Sequence, residues 1–209
     1  MTIEKASERS IDTLQRIYAV IVALAINEAV KRTFLQNGSG VLEVDYCRIP
    51  EFVAFIFTAV PFVHGMNRHL DKTLKTSREE NRGSLIVVLV FDFLIFLAES
   101  CVLFLLAASV RSELFFFQLL MLLLTLDLLW SVVTWPITKS VVWQWIVVNI
   151  LAVVAGIAVI YWFDKVAVIQ KLWILMIIAV ARTCLDYFLA WNFYFPSEPV
   201  IATRSSTQP

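Results

Sequence analysis

The chain is poor in what a soluble fold uses to face water. Of its 209 residues only 16% are charged, five are glycine and two are histidine. So little charge cannot cover a water-soluble globule of this size. Two histidines are too few for a multi-histidine or di-iron membrane enzyme, and no His-x-x-x-His or Glu-x-x-His array occurs. The scarcity of glycine matches the absence of a phosphate-binding loop, a Gly-x-Ser-x-Gly elbow and a Gly-x-x-x-Gly packing face. There is no Thr-Val-Gly-Tyr-Gly filter and no repeated-arginine voltage sensor. The three cysteines, Cys47, Cys101 and Cys184, form neither a Cys-x-x-Cys pair nor an even-numbered disulfide framework. No metal and no cofactor is expected. The formal net charge is zero, which gives no electrostatic ground for nucleic-acid binding. The first apolar stretch begins near Leu14 and no Ala-x-Ala-like site follows it, so no cleavable signal peptide is expected.

What the chain has in abundance is hydrocarbon. Sixty per cent of it is hydrophobic and its mean hydropathy is +0.80, the composition of a chain whose solvent is the bilayer. The apolar runs predict an all-α, polytopic transmembrane bundle of about six spans: Leu14–Phe34, Phe52–Leu70, Leu85–Ala108, Leu114–Trp135, Val141–Phe163 and Leu172–Phe195. A helix needs about 20 residues to cross the hydrocarbon. The last four runs meet this. In the first two, Arg16, Lys31, Arg68 and Asp71 crowd the ends, so their charges must snorkel or be shielded. Pro61 predicts a kink in the second. Residues 1–195 read as one domain, Pro196–Pro209 as a disordered tail, and Gln36–Gly40 as a flexible turn.

Loop charge orients the bundle. With the N-terminus inside, ten basic residues lie on the inner side and six on the outer, and five of the ten lie between Arg68 and Arg82. This bias predicts a cell-membrane protein with both termini in the cytoplasm. The Lys72–Arg82 loop is a candidate contact for anionic lipid headgroups.

Against this background the polar residues inside the runs stand out. A charge in hydrocarbon costs roughly 2.5–3.5 kcal/mol on insertion scales, so by default it marks a functional interior. His64, Asp92, Asp127, Asn149 and Asp186 fall on five different helices. Counted from the inner helix ends at 1.5 Å per residue, they lie at similar depth, about 10–14 Å in. On the second helix His64, Arg68 and Asp71 share a face, with Asn67 beside them, although Arg68 and Asp71 also suit a simple interfacial anchor. Histidine titrates near pH 6.5, about right for proton transfer. Arg182 and Asp186 are spaced for an internal ion pair, which alone would serve packing. Asp92 and Asp127 have no opposite charge on their own helices, so His64, Arg68 and Arg182 are their candidate partners. Three aspartates against two arginines leave a carboxylate over, able to exchange protons. Glu99, seven residues after Asp92, extends an acidic line along the third helix, while Glu28 has Lys31 and Arg32 to pair with.

Three functions fit this pattern. The first is a proton or small-cation channel or transporter, lined by Asp92, Glu99, Asp127 and Asp186, gated by His64, and assembled as a homo-oligomer because six helices make a thin bundle. The second is a membrane enzyme on a lipid or isoprenoid substrate, with His64 and Asp92 or Asp127 doing acid–base work and Arg68 holding a phosphate. No nucleophile or metal site supports it, so the balance leans away from an enzyme. The third is a structural or signalling subunit, or a membrane effector, whose polar groups only hold helices in register.

Overall fold

The computed structural model describes residues 3–35, 45–77, 82–138, 143–163 and 165–196. The Gln36–Gly40 turn and residues 197–209 lie outside them, as do the side chains of the Lys72–Arg82 loop. The described residues are mostly helical and contain no β-sheet: α1 (Ile3–Phe34), a 3-10 turn at Tyr46–Arg48, α2 (Ile49–Ser77), α3 (Arg82–Ala108), α4 (Leu114–Thr138), α5 (Trp143–Trp162), α6 (Val168–Leu189) and a short α7 (Trp191–Tyr194). Six of these are long and apolar enough to cross a membrane, and the protein is a multi-pass membrane protein. An even number of crossings returns both chain ends to one side. Even α5, rich in Val and Ile, is helical, because in hydrocarbon only a helix satisfies every backbone group within its own segment.

The elements differ from the apolar runs at their ends. The α1 helix has 32 residues and α2 has 29, each well over 40 Å at about 1.5 Å per residue, so both continue past their charged ends. The sixth helix stops at Leu189 rather than Phe195. Ala190 leaves helical geometry at φ −104° and ψ 23°, and the short α7 after it packs on α2 and α6.

The six long helices close a ring in the order α1, α3, α4, α5, α6, α2, and α2 also touches α3 and α4 across its middle. Each helix turns one stripe inward, spaced three and four residues apart. On α1 the stripe is Leu14, Tyr18, Val22 and Ala25; on α3 it is Asp92, Phe96, Glu99 and Leu103. On α6 it is Leu175, Ala179, Arg182 and Asp186. The opposite faces are apolar and bare: Leu151 is 62% exposed and Phe188 77%. Charge inside and hydrocarbon outside is the inverse of a soluble bundle, and it puts the bare faces against lipid acyl chains.

Pro61 sits within α2 without ending it. Proline has no N–H for the carbonyl four residues back, here Phe57. The Thr183 hydroxyl of α6 donates to that carbonyl. The helix that passes behind the proline therefore satisfies the group that the proline leaves open.

Candidate functional site

The inward stripes bring every long helix's polar groups into the ring. Asp92 is fully buried and held from two sides. Its Oδ1 accepts from the Trp130 indole N–H at 2.9 Å, and its Oδ2 lies 3.0 Å from His69 Nε2. The His69 and Trp130 rings meet edge to face at 4.6 Å, so α2, α3 and α4 are tied at one point.

A second group joins α4, α5 and α6. The Asn149 amide donates to Asp127 Oδ2, and Arg182 Nε donates to Asn149 Oδ1 at 2.8 Å. Among the described residues that is the one close bond of the guanidinium. Its Nη2 lies 4.0 Å from Asp127 and its Nη1 3.8 Å from Asp186, and Nη1 has no hydrogen-bond partner among the described residues. Arg182 is thus shared between two carboxylates and firmly bound to neither. Its guanidinium also lies over the Phe62 ring, 5.6 Å from the centroid. Asp186 Oδ2 accepts from Tyr194 Oη at 2.7 Å. Burial and the nearby Asp186 push the Tyr194 hydroxyl well above its ordinary titration range, so it stays a donor.

Glu99 lies between the two groups electrically, close enough to feel the charges of both Asp127 and Asp92. Its Oε1 and the Tyr18 hydroxyl on α1 are buried with no hydrogen-bond partner among the described residues. Tyr18 in turn feels Glu99 and Asp127.

Of the residues singled out in the sequence, the structure therefore brings Asp127, Asn149, Arg182 and Asp186 into one hydrogen-bonded and ion-paired group, with Asp92 and Glu99 beside it. His64 and Arg68 are placed differently. His64 is half-buried and its contacts are with Tyr187, Tyr194 and Phe195, so it does not pair with Asp92 or Asp127. Arg68 lies 3.9 Å from Asp71 and donates to the Phe193 carbonyl at 3.3 Å. Asn67 is half-buried beside them. The partner of Asp92 is His69, which the sequence reading passed over. The register could have found it: Thr58, Phe62, Met66 and His69 follow the inward spacing of α2, and His64 does not.

A further buried carboxylate, Glu51, also escaped notice. It is fully buried near the end of α2, where its Oε2 accepts from the Arg111 backbone N–H at 3.3 Å and lies 3.8 Å from Arg48 Nη1. Arg111 has a positive φ of 92° in the α3–α4 turn, which aims its side chain at the end of α1. Its Nε donates to the Arg32 carbonyl at 2.6 Å and its Nη2 to that of Leu35 at 3.4 Å. A cation there satisfies terminal carbonyls and opposes the helix dipole. Glu28 pairs with Arg32 at 2.6 Å. At the same end of the ring Lys171 Nζ reaches the Ile160 carbonyl near the close of α5 at 3.5 Å. Among the described residues, no group of three or more His, Cys, Asp or Glu side chains is placed to hold a metal ion.

No protein-family model, no curated protein and no solved structure matches the chain. The geometry stands as the ground for function.

Proposed function

We propose that this multi-pass membrane protein moves protons, or a small monovalent cation, through the interior of its helix ring. The observation that carries the reading is a charge imbalance. Among the described residues, four carboxylates inside the ring, Asp92, Glu99, Asp127 and Asp186, are buried with one guanidinium, Arg182, and one imidazole, His69; the buried Glu51 and Lys171 at one end of the ring offset each other and leave the difference unchanged. Even with His69 charged, two negative charges remain. Bare charges in a low-dielectric interior are too costly to persist, so protons or a cation must neutralise them. A set of groups that must hold an exchangeable positive charge is the raw material of a conduction path.

The sharing of Arg182 supplies a moving part. When Asp127 takes a proton, its pull on the guanidinium 4.0 Å away is lost, and Arg182 shifts toward Asp186, now 3.8 Å away. When Asp127 gives the proton up, Arg182 returns. Each passage of a proton is thus coupled to a two-position side chain, and Asn149 keeps the guanidinium within reach of both acids. Glu99 near Tyr18, and Asp92 with His69, extend the polar line from this centre. The path lies within one chain. The excess of basic residues in the loops on one side supports a reading with both termini in the cytoplasm of a cell-membrane protein.

The lipid-enzyme reading needs His64 together with Asp92 or Asp127. His64 instead faces Tyr187 and Tyr194, and both aspartates are engaged by other groups, so no observation favours that chemistry. A purely structural role makes the opposite forecast from conduction. Asp127→Asn keeps the shape of the side chain and its place beside Asn149, yet removes the titrating group. In proteoliposomes carrying a pH dye, with a potassium gradient and valinomycin setting the voltage, wild-type protein should carry current and the variant should not. Equal flux in both, with both folded, removes Asp127 from any path.

A further inference from the structure

His64 and the aromatic residues around it are not absorbed by the conduction centre, yet they hold in place the residue that covers one of its ends. The α7 segment breaks from α6 at Ala190 and packs on α2 and α6, with Phe193 reaching α5. Four contacts seat it. Arg68 Nε donates to the Phe193 carbonyl at 3.3 Å. Phe193 packs on Trp145 of α5 at 6.0 Å between ring centres. The Tyr194 ring lies 4.9 Å from His64 and 4.5 Å from Tyr187. Gly65 makes room for Trp145, the ring on which Phe193 packs: a Cβ there would stand 3.2 Å from it, and at an ordinary contact distance of 3.7 Å from the Tyr194 hydroxyl.

From this seat Tyr194, only 2% exposed, sends its hydroxyl to Asp186 Oδ2 at 2.7 Å. Among the described residues, no other group outside the six long helices bonds to Asp92, Glu99, Asp127 or Asp186. Asp186 is also the acid that Arg182 approaches when it leaves Asp127. A donor fixed on that oxygen competes with the guanidinium for the same atom.

We propose that Tyr194 is the gate of the polar line: its hydrogen bond to Asp186 holds α7 shut over the site, and conduction requires that bond to open. The proposal rests on the conduction reading for its consequence, though its geometry stands independently. His64 and Tyr187 form the wall against which the Tyr194 ring closes. Arg68 tethers the backbone next to it, so the segment can swing at Ala190 without leaving the bundle. A hydrogen bond to a carboxylate shifts such an equilibrium about tenfold or more, which sets the size of the expected effect.

The test uses Tyr194→Phe, which keeps the ring and its packing but removes the donor. Tyr187→Phe is the control, because it removes a hydroxyl from the same aromatic group without touching Asp186. The three native cysteines, all exposed, are replaced by serine, and Ala190→Cys is introduced at the buried hinge as a reporter. In detergent, a hydrophilic maleimide should label Cys at 190 slowly in the Tyr194 background. Labelling should be about tenfold faster with Tyr194→Phe and unchanged with Tyr187→Phe. In proteoliposomes Tyr194→Phe should raise proton flux, and Asp127→Asn should still abolish it. Equal labelling with and without the Tyr194 hydroxyl overturns the gate, as does equal acceleration by Tyr187→Phe, which would mean general loosening. Faster labelling with no flux from any variant keeps the latch and refutes the conduction reading.

Discussion

Replacing Arg182 with glutamine tests the centre of the network, because one side chain there serves three partners. Glutamine keeps length and some hydrogen-bonding capacity but removes the charge. The guanidinium lies 4.0 Å from Asp127 and 3.8 Å from Asp186, and at an effective dielectric near 20 each such pair is worth about 4 kcal/mol. Much of that is offset by the cost of burying the charges, and breaking one side of a buried ion pair in proteins destabilises by about 3–5 kcal/mol. For a chain of this length that loss corresponds to a fall in melting temperature of about 10 °C. The assay is thermal unfolding of purified protein in one detergent. A second substitution makes the test specific. If the loss comes from stranded carboxylates, Arg182→Gln combined with Asp127→Asn should be more stable than Arg182→Gln alone, since one unneutralised charge has gone. The reasoning is refuted if Arg182→Gln melts within about 2 °C of wild type, or if the two losses simply add.

Other consequences follow from single contacts. His69→Phe should cost about 2–3 kcal/mol by stripping Asp92 of its partner at 3.0 Å, whereas His64→Phe keeps ring contacts and should cost far less; matched melting curves compare them. Thr183→Val strands the carbonyl that Pro61 leaves open and should cost about 1–3 kcal/mol in the same assay. Thr58→Val, whose hydroxyl returns only to the Ala54 carbonyl of its own helix, should cost little. Arg111→Gln removes the donors from the end of α1, so amide exchange there should rise by about tenfold, while amides in the middle of α1 stay protected.

The architecture was legible because hydrocarbon length and the cost of buried charge are strong, local signals. The acids at 92, 99, 127 and 186 could be singled out from sequence because each interrupts an apolar run, and all four lie inside the ring. What the sequence hid was partner choice. His64 drew attention as the deeper histidine, yet His69, five residues on, is the one turned inward with Met66 and Phe62. Five residues along a helix rotate a side chain well off the original face, and depth alone does not report that rotation. Ring order was equally hidden: α2 closes the circle beside α6, a neighbour relation that no local pattern encodes. The contact of Tyr194 with Asp186 depends on a helix break at Ala190, and an alanine carries no turn signature in sequence. Glu51, one residue before the second apolar run, carried no signal of its own in the sequence, and its carboxylate meets the Arg111 turn sixty residues away.

The most direct test of the central claim is flux through single chains. Vesicles reconstituted at a dilution that leaves at most one protein per vesicle would be assayed in parallel for protons, by an enclosed pH dye, and for sodium, by tracer. The account predicts flux of at least one of these in wild-type vesicles, unchanged per chain on further dilution, and absent with Asp127→Asn. Flux no greater than in empty vesicles, from protein shown to be folded, would contradict it.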